Sequence, residues 1–339
     1  MVDLALDRTA RRVLERYPLE LSSASWTSLG NAGGFSGARL WRGVTLADEQ
    51  LCLRAWPYAR MTDVKLNQIQ RAMSVSRLPI VPELWGTSDD ETWVMADDRY
   101  WEITTWLPGT ADFHQNPSDE RLFAAMRALA AIHERWLPPQ PLTAPCPAVR
   151  RIIKALRSWR ELVQTGWQPD FDLPLTPEIH AVARQAWEAI FANIFATEFA
   201  LHEWENRPMP VQVCLCDVWH DHILYVGDEV TGVIDYGGVK PDCVALDLAR
   251  LLGSMAPDQT ERTDAALAVY TALHPVSAEV LKLVPVLDRC GAVVGLTNWI
   301  RWLYLDRRSY DDLPRVTERL EKLLGRVATT GKTKLFAWA

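Results

Sequence analysis

Between Leu215 and Asp247 the chain reads LCDVWHDHILYVGDEVTGVIDYGGVKPDCVALD, and this stretch limits the possible folds more tightly than any other. Two β-rich apolar runs, Ile223–Val226 and Val230–Ile234, flank Gly227-Asp228. A glycine beside an aspartate supplies the backbone angles of a tight turn, so the pattern predicts a β-hairpin. Asp217 stands shortly before the first strand and Asp235 directly after the second. Pairing the strands would carry both carboxylates to one end of a small scaffold. Such an end suits chemistry in which one carboxylate holds a divalent cation and the other handles a substrate proton.

A loop aspartate, a ligand-type residue five positions later at His222, a hairpin and then Asp235-Tyr236-Gly237 resemble a known catalytic segment. It is that of the aminoglycoside phosphotransferase and choline-kinase-like family. There the loop reads His-Gly-Asp with Asn five residues on, followed by Asp-Phe-Gly or Asp-Tyr-Gly. This chain has Leu215 in place of the His and His222 in place of the Asn. The resemblance implies an α+β, protein-kinase-like two-lobe fold. A small β-rich N-lobe would occupy residues 1–109, with its hinge at 104–109, and a larger, mainly helical C-lobe residues 110–339. It also implies transfer of the γ-phosphate of ATP to a hydroxyl of a small molecule. Asp217 matches the catalytic base, Asp235 the Mg²⁺ ligand and His222 a second metal ligand. Asp247, in ALDLAR, matches an acid that braces the catalytic loop. Mg²⁺ prefers oxygen ligands and imidazole suits softer ions. His222 therefore leaves three readings open: a single Mg²⁺, a water between His222 and the metal, or a preference shifted to Mn²⁺.

The first third of the chain follows the same order. Asn31-Ala32-Gly33-Gly34-Phe35-Ser36 precedes an alternating strand at Ala38–Trp41, and a second strand follows in LCLRAWP. Glycines let backbone N–H groups approach a phosphate closely, although a plain hairpin turn has the same composition. In kinase-like folds the next strand carries a basic residue for the phosphates. Arg54 holds that place, which makes Gly33, Gly34, Ser36 and Arg54 candidate nucleotide contacts; the rival reading of Arg54 is an outward-facing strand arginine. The helix expected over Met61–Ser76 offers Arg54 no glutamate, only Asp63, Asn67 and Gln68. A strand over Tyr100–Trp106 leads to Leu107-Pro108-Gly109, where backbone groups around Thr105 would read adenine. Helices dominate thereafter. Ser118 caps one whose apolar face holds Leu122, Met126, Leu129 and Ile132, with His133 as a packed structural histidine. More helices are expected over 148–164, 176–206, 260–273, 277–305 and 313–328, and PPQPLTAPCP reads as a connection.

Composition removes several other classes. At 339 residues, 48% hydrophobic and 23% charged, the chain is a soluble globular type with room for two lobes. A net charge of −7 argues against a basic face for nucleic acid. Val284–Leu303, the most apolar long segment, is interrupted by Asp288, Arg289, Asn298 and Arg301, so no membrane span is expected. The first 17 residues carry charges and lack the apolar core of a secretion signal. None of the six cysteines forms a Cys-x-x-Cys pair, and Cys214 and Cys216 read as reduced packing residues. These features point to the cytoplasm. Gly331-Lys332-Thr333 imitates the end of a P-loop, but Gly325 lies one residue too far upstream. Two rival functions stay open. Leu215, His222 and the missing helix glutamate suit a kinase-like binding protein that has lost turnover, and His220-Asp221-His222 suits a metal-dependent hydrolase.

Overall fold

The computed structural model describes residues 4–332 except 32, 33, 35, 36, 58 and 60, and side chains up to 328. The candidate contacts Gly33 and Ser36 lie outside the described residues. In chain order the elements begin with α1 (Leu4–Leu14), α2 (Leu19–Ser22), β1 (Ser25–Gly30), β2 (Arg39–Val44) and β3 (Gln50–Pro57). Next come α3 (Asp63–Ser76), β4 (Leu84–Trp85), β5 (Val94–Ala96), β6 (Arg99–Thr105) and α4 (Asp119–Arg135). They are followed by β7 (Leu142–Pro145), α5 (Pro147–Gln164), α6 (Pro177–His202), β8 (Pro208–Cys214), β9 (Ile223–Val226) and β10 (Glu229–Val233). The chain closes with β11 (Lys240–Asp242), α7 (Ala245–Met255), α8 (Thr260–Leu273), α9 (Ala278–Ile300) and α10 (Leu313–Lys332). By compactness it divides into two units, Met1–Trp136 with His220–Lys240, and Leu137–Trp219 with Pro241–Ala339.

The first unit is built on a six-stranded sheet of order β1-β2-β3-β6-β4, in which β5 also pairs with β6. β3 is its centre because LCLRAWP buries side chains on both faces. Leu51, Leu53, Trp101 and Ile103 form one core with Val13, Leu14 and Leu21 from α1 and α2. β1 is a further strand, ahead of the two expected ones. It is an edge strand with mostly exposed side chains, so it lacks the apolar alternation of a buried one.

The expected hairpin is β9 and β10, with Gly227 in the left-handed region. It joins the Pro108–Thr110 segment directly. Thr110 and Tyr225 exchange backbone hydrogen bonds of 3.1 and 2.9 Å, and the Thr231 hydroxyl donates to Pro108 O at 2.7 Å. Gly109 makes this approach possible. Its φ is +101°, and a Cβ there would lie 2.5 Å from Thr231 Oγ1 and 2.7 Å from Tyr225 O. α4 starts at the predicted cap, with Ser118 Oγ accepting from Arg121 N, and packs on β10. Arg121 is buried, pairs with Asp112, and lies 4.1 Å from the centre of the Tyr225 ring.

The second unit is helical around a three-stranded sheet of order β11-β8-β7. Part of the Pro-rich connection is therefore a strand, β7, paired to β8 from Leu142↔Val211 to Pro145↔Pro208. α9 is the central helix, packed by α5, α6, α7 and α10. Trp159, Trp167 and Trp187 meet edge to face with centroids 5.7 Å apart, tying α5 to α6. α7 escapes a periodicity argument because nearly all of ALDLARLLGSM is buried, leaving no polar face to mark its period. α10 runs through Gly331 and Lys332, so these two residues of the P-loop imitation lie at a helix end. All six cysteines are reduced and buried. Among the described residues no helix is long and apolar enough to cross a membrane.

Candidate active site

Asp217 belongs to the second unit, in the loop after β8. The loop is held from beneath by Asp247, fully buried in the first turn of α7, whose two carboxylate oxygens accept the N–H groups of Leu215 (2.7 Å) and Cys216 (2.6 Å). The bracing expected of Asp247 is thus present. Leu215 fills core where the family places His. Cys216 stands where the family places Gly, and its φ of +61° shows why. A residue with a Cβ bears about 1–2 kcal/mol in that region, so the turn is strained and needs its carboxylate brace.

The side chain of Asp217 is fixed as firmly as its backbone. Its Oδ1 accepts from Trp219 Nε1 at 2.7 Å and from the Arg250 guanidinium. Arg250 in turn lies 4.2 Å from the centre of the Trp219 ring, as does Arg319 of α10. Asp217 stays half-exposed despite both bonds. Arg250 and Trp219 are absent from the sequence-derived site. The available signal is spacing: once ALDLAR is a helix, Asp247 and Arg250 lie three residues apart on one face.

Asp235 and His222 stand together in the first unit. His222 Nε2 is 3.7 Å from Asp235 Oδ2, and Ile234 N donates to His222 O at 2.9 Å. The hairpin pairing therefore sets both expected metal residues at one mouth. Asp235 has φ +64°, and its Oδ1 accepts from Gly237 N at 3.3 Å. His220 turns elsewhere, pairing with Asp221 and meeting the His114 ring at 4.0 Å between centroids. Among the described residues His220, Asp221 and His222 do not converge as a three-ligand group.

Arg54 lies 4.7 Å over the Trp56 ring. That ring also backs Gly237, where a Cβ would come within 3.1 Å of it and 3.2 Å of Asp235 Oδ1. Trp56 thus links the strand base to the Asp235-Tyr236-Gly237 run. The acid that α3 lacks is on β6 instead. Glu102 pairs in register with Arg54, is buried, and accepts from Trp56 Nε1 (2.7 Å) and Gln70 Nε2 (2.8 Å). A charged residue inside the apolar strand YWEITT is the sequence signal for it. Lys65 of α3 carries no such signal. Burial, followed by the charge of Lys240, holds its ammonium below the ordinary pKa, and Asp235 opposes the shift. At the end of β6, Thr105 uses its N–H on Glu83 O and its hydroxyl accepts from Glu83 N, both at 2.9 Å. Trp106 N donates to Gln50 O at 2.8 Å. Gly34 is in a turn, with its N–H on Asn31 O at 2.8 Å.

This order of elements, a β-rich first unit followed by helices and a hairpin ending in Asp-Tyr-Gly, defines an α+β protein-kinase-like fold. Two solved structures share it: spectinomycin phosphotransferase in complex with ADP and spectinomycin, and an ethanolamine kinase of Plasmodium vivax. The first has a TM-score of 0.65 at 13% identity, covering 91% of this chain and 93% of that one. The second has a TM-score of 0.60 at 14% identity, covering 97% and 89%. The chain belongs to the APH phosphotransferase enzyme family, whose model matches residues 30–282. A homoserine kinase of Methylobacterium radiotolerans is 27% identical over 207 residues, 59% of this chain. The match spans 58% of that relative's length.

Proposed function

We propose that this protein transfers the γ-phosphate of ATP to a hydroxyl of a small molecule, with Asp217 as the base. The observation that carries the reading is the fixation of Asp217, whose loop is braced by Asp247 and whose Oδ1 is held by Trp219 and Arg250. Phosphoryl transfer depends on positioning and charge stabilisation more than on covalent participation by the protein. A carboxylate held by two donors, with its side chain half-exposed, can accept the acceptor's proton without reorienting. Arg250 and Trp219 act through it as positioning residues.

Asp235 offers the hard oxygen donor that Mg²⁺ or Mn²⁺ takes, and His222 adds a nitrogen that suits Mn²⁺ better. A bound cation would neutralise phosphate charge. Arg54, Lys65 and the Gly33-Gly34-Ser36 loop serve the phosphates. Adenine is read at the hinge around Thr105; since the amides of 105 and 106 are used inside the sheet, the Leu107 amide is the one we assign to the base. In this reading residues 1–109 form the nucleotide-binding lobe, and 110–339 supply Asp217 toward the acceptor and Asp235 and His222 toward the cation. The ADP named with spectinomycin phosphotransferase supports the nucleotide, and the amino alcohol kinases among the relatives support a small hydroxyl acceptor.

The second reading is a binding protein without turnover, favoured by His222 and Leu215 at two motif positions. ADP release measured with Mg²⁺ and with Mn²⁺, against a panel of amino alcohols, aminocyclitols and sugars, separates the two. Turnover is expected with at least one acceptor. Asp217→Asn should lower it by roughly 10²–10⁴-fold, the range a general base contributes, while the thermal shift induced by ATP is retained. No ATP-induced shift in either metal would sink both readings, and a shift without turnover would leave the second.

A further inference from the structure

The outward face of α6 is apolar along its C-terminal half. Its inward face is defined by the buried Ala183, Ala186, Ile190, Ile194 and Leu201. On the other side Phe191, Phe195 and Phe199 recur every fourth residue and are 45%, 63% and 72% exposed. Ala192, Ala196 and Ala200 form a parallel row one residue on. A helix lying on a soluble protein ordinarily turns charged side chains outward, and one that is apolar all round is covered on both sides. The three rings leave roughly 350 Å² of aromatic surface in one strip, given about 200 Å² for a whole phenylalanine.

We propose that this strip is the interface of a homodimer, in which α6 packs antiparallel on α6 of a second copy about a two-fold axis at Phe195. The shape of the strip selects a second copy as the occupant. Rows of residues four apart are the ridges that interdigitate when helices pack. Here a ridge of phenylalanines runs beside a groove of alanines with the same pitch. A two-fold axis through the ridge sets the phenylalanine row of each copy along that of the other, with the alanine rows flanking it, which is the self-complementarity an isologous contact needs. The same axis sets Phe191 of one copy against Phe199 of the other, and Glu188 of one on the side of His202 of the other. Arg160, held by Glu198, lies 4.7 Å over the Phe195 ring and forms part of a charged rim. The rings supply a little under half of the ~800 Å² per partner that a stable interface buries, and the alanine row and rim can supply the remainder. A lipid-facing helix would be bordered mainly by Lys and Arg. This strip is bordered by Glu188, Glu198 and Glu203 as well, which disfavours a membrane surface.

Sedimentation equilibrium of the full chain tests the proposal. The wild type should weigh twice 38.4 kDa at micromolar concentration. Phe195→Glu should weaken self-association by about a hundredfold or more, as loss of a central aromatic anchor does, with an unchanged circular dichroism spectrum. Cysteine cross-linking reads the geometry independently of that variant. Phe195→Cys should form a disulfide-linked dimer under glutathione disulfide. Phe191→Cys and Phe199→Cys should cross-link when the two proteins are mixed and not separately, against a background of buried native cysteines. A wild-type monomer at tens of micromolar, a dimer indifferent to Phe195→Glu, or a monomer that co-sediments with lipid vesicles would each overturn it.

Discussion

Asp217 and Asp235 look alike in the sequence, yet their surroundings suit them to different work. Asp217 has one oxygen occupied by a guanidinium and an indole N–H, whereas Asp235 meets an imidazole and the amide of Gly237. Two outcomes follow at this scale. Arg250→Met removes the clamp without touching a nucleotide contact. It should lower kcat by about 10–100-fold, the cost of a slightly misplaced reacting group, and leave the KM for ATP unchanged; steady-state kinetics at saturating acceptor reads the split. His222→Asn replaces a nitrogen donor with an amide oxygen. The ratio of Mg²⁺- to Mn²⁺-supported turnover should then rise about tenfold, in keeping with ligand softness. Both residues were only partly legible: His222 through its place after Asp217, Arg250 not at all until ALDLAR was seen as a helix.

Among the elements, the hairpin and the segment after β6 depend on each other. Gly109 admits the backbone of β9, Thr231 ties β10 to Pro108, and Arg121 of α4 secures the segment between them through Asp112 and Tyr225. Arg121 holds the Asp112 carboxyl below the ordinary carboxylate range. A lowered folded-state pKa means the pair stabilises the protein above the unfolded value of 3.8, and that this contribution is lost as pH falls through the folded value. Asp112→Asn leaves a buried guanidinium without its counter-charge. It should cost about 2–3 kcal/mol at neutral pH, less than a fully buried pair because Asp112 is part-exposed. Urea titrations of both proteins should show the gap narrowing as pH drops below 3.8. A gap constant with pH would assign the loss to packing. Leu107-Pro108-Gly109 was legible as the end of a strand, but its contact with the hairpin joins residues more than a hundred positions apart.

For the whole molecule, ligand linkage gives the broadest test. ATP with Mn²⁺ or Mg²⁺ at a hundred times its Kd should add about 2.7 kcal/mol to stability, seen as a raised Tm. If Asp235 holds the cation as proposed, EDTA should remove most of the gain. The sequence by itself determined the order of elements, the hairpin with an acid at each mouth, and the caps at Ser118, because these rest on local periodicity, turn chemistry and short-range hydrogen bonds. It could not show β7 as a strand, since a four-residue edge strand that ends in proline carries no readable alternation, nor α7 as a helix, since burial on nearly every side erases the period. It could not place the acid beside Arg54, which arrives from β6 through strand pairing and not from α3. Tertiary structure alone decided which polar groups were spent on the fold and which were left for chemistry. Glu102 and Asp247 are buried and brace an indole and the backbone, while Asp217 is held at the surface with its side chain half-exposed. That division depends on burial and on partners distant in the chain, and residue type does not encode it.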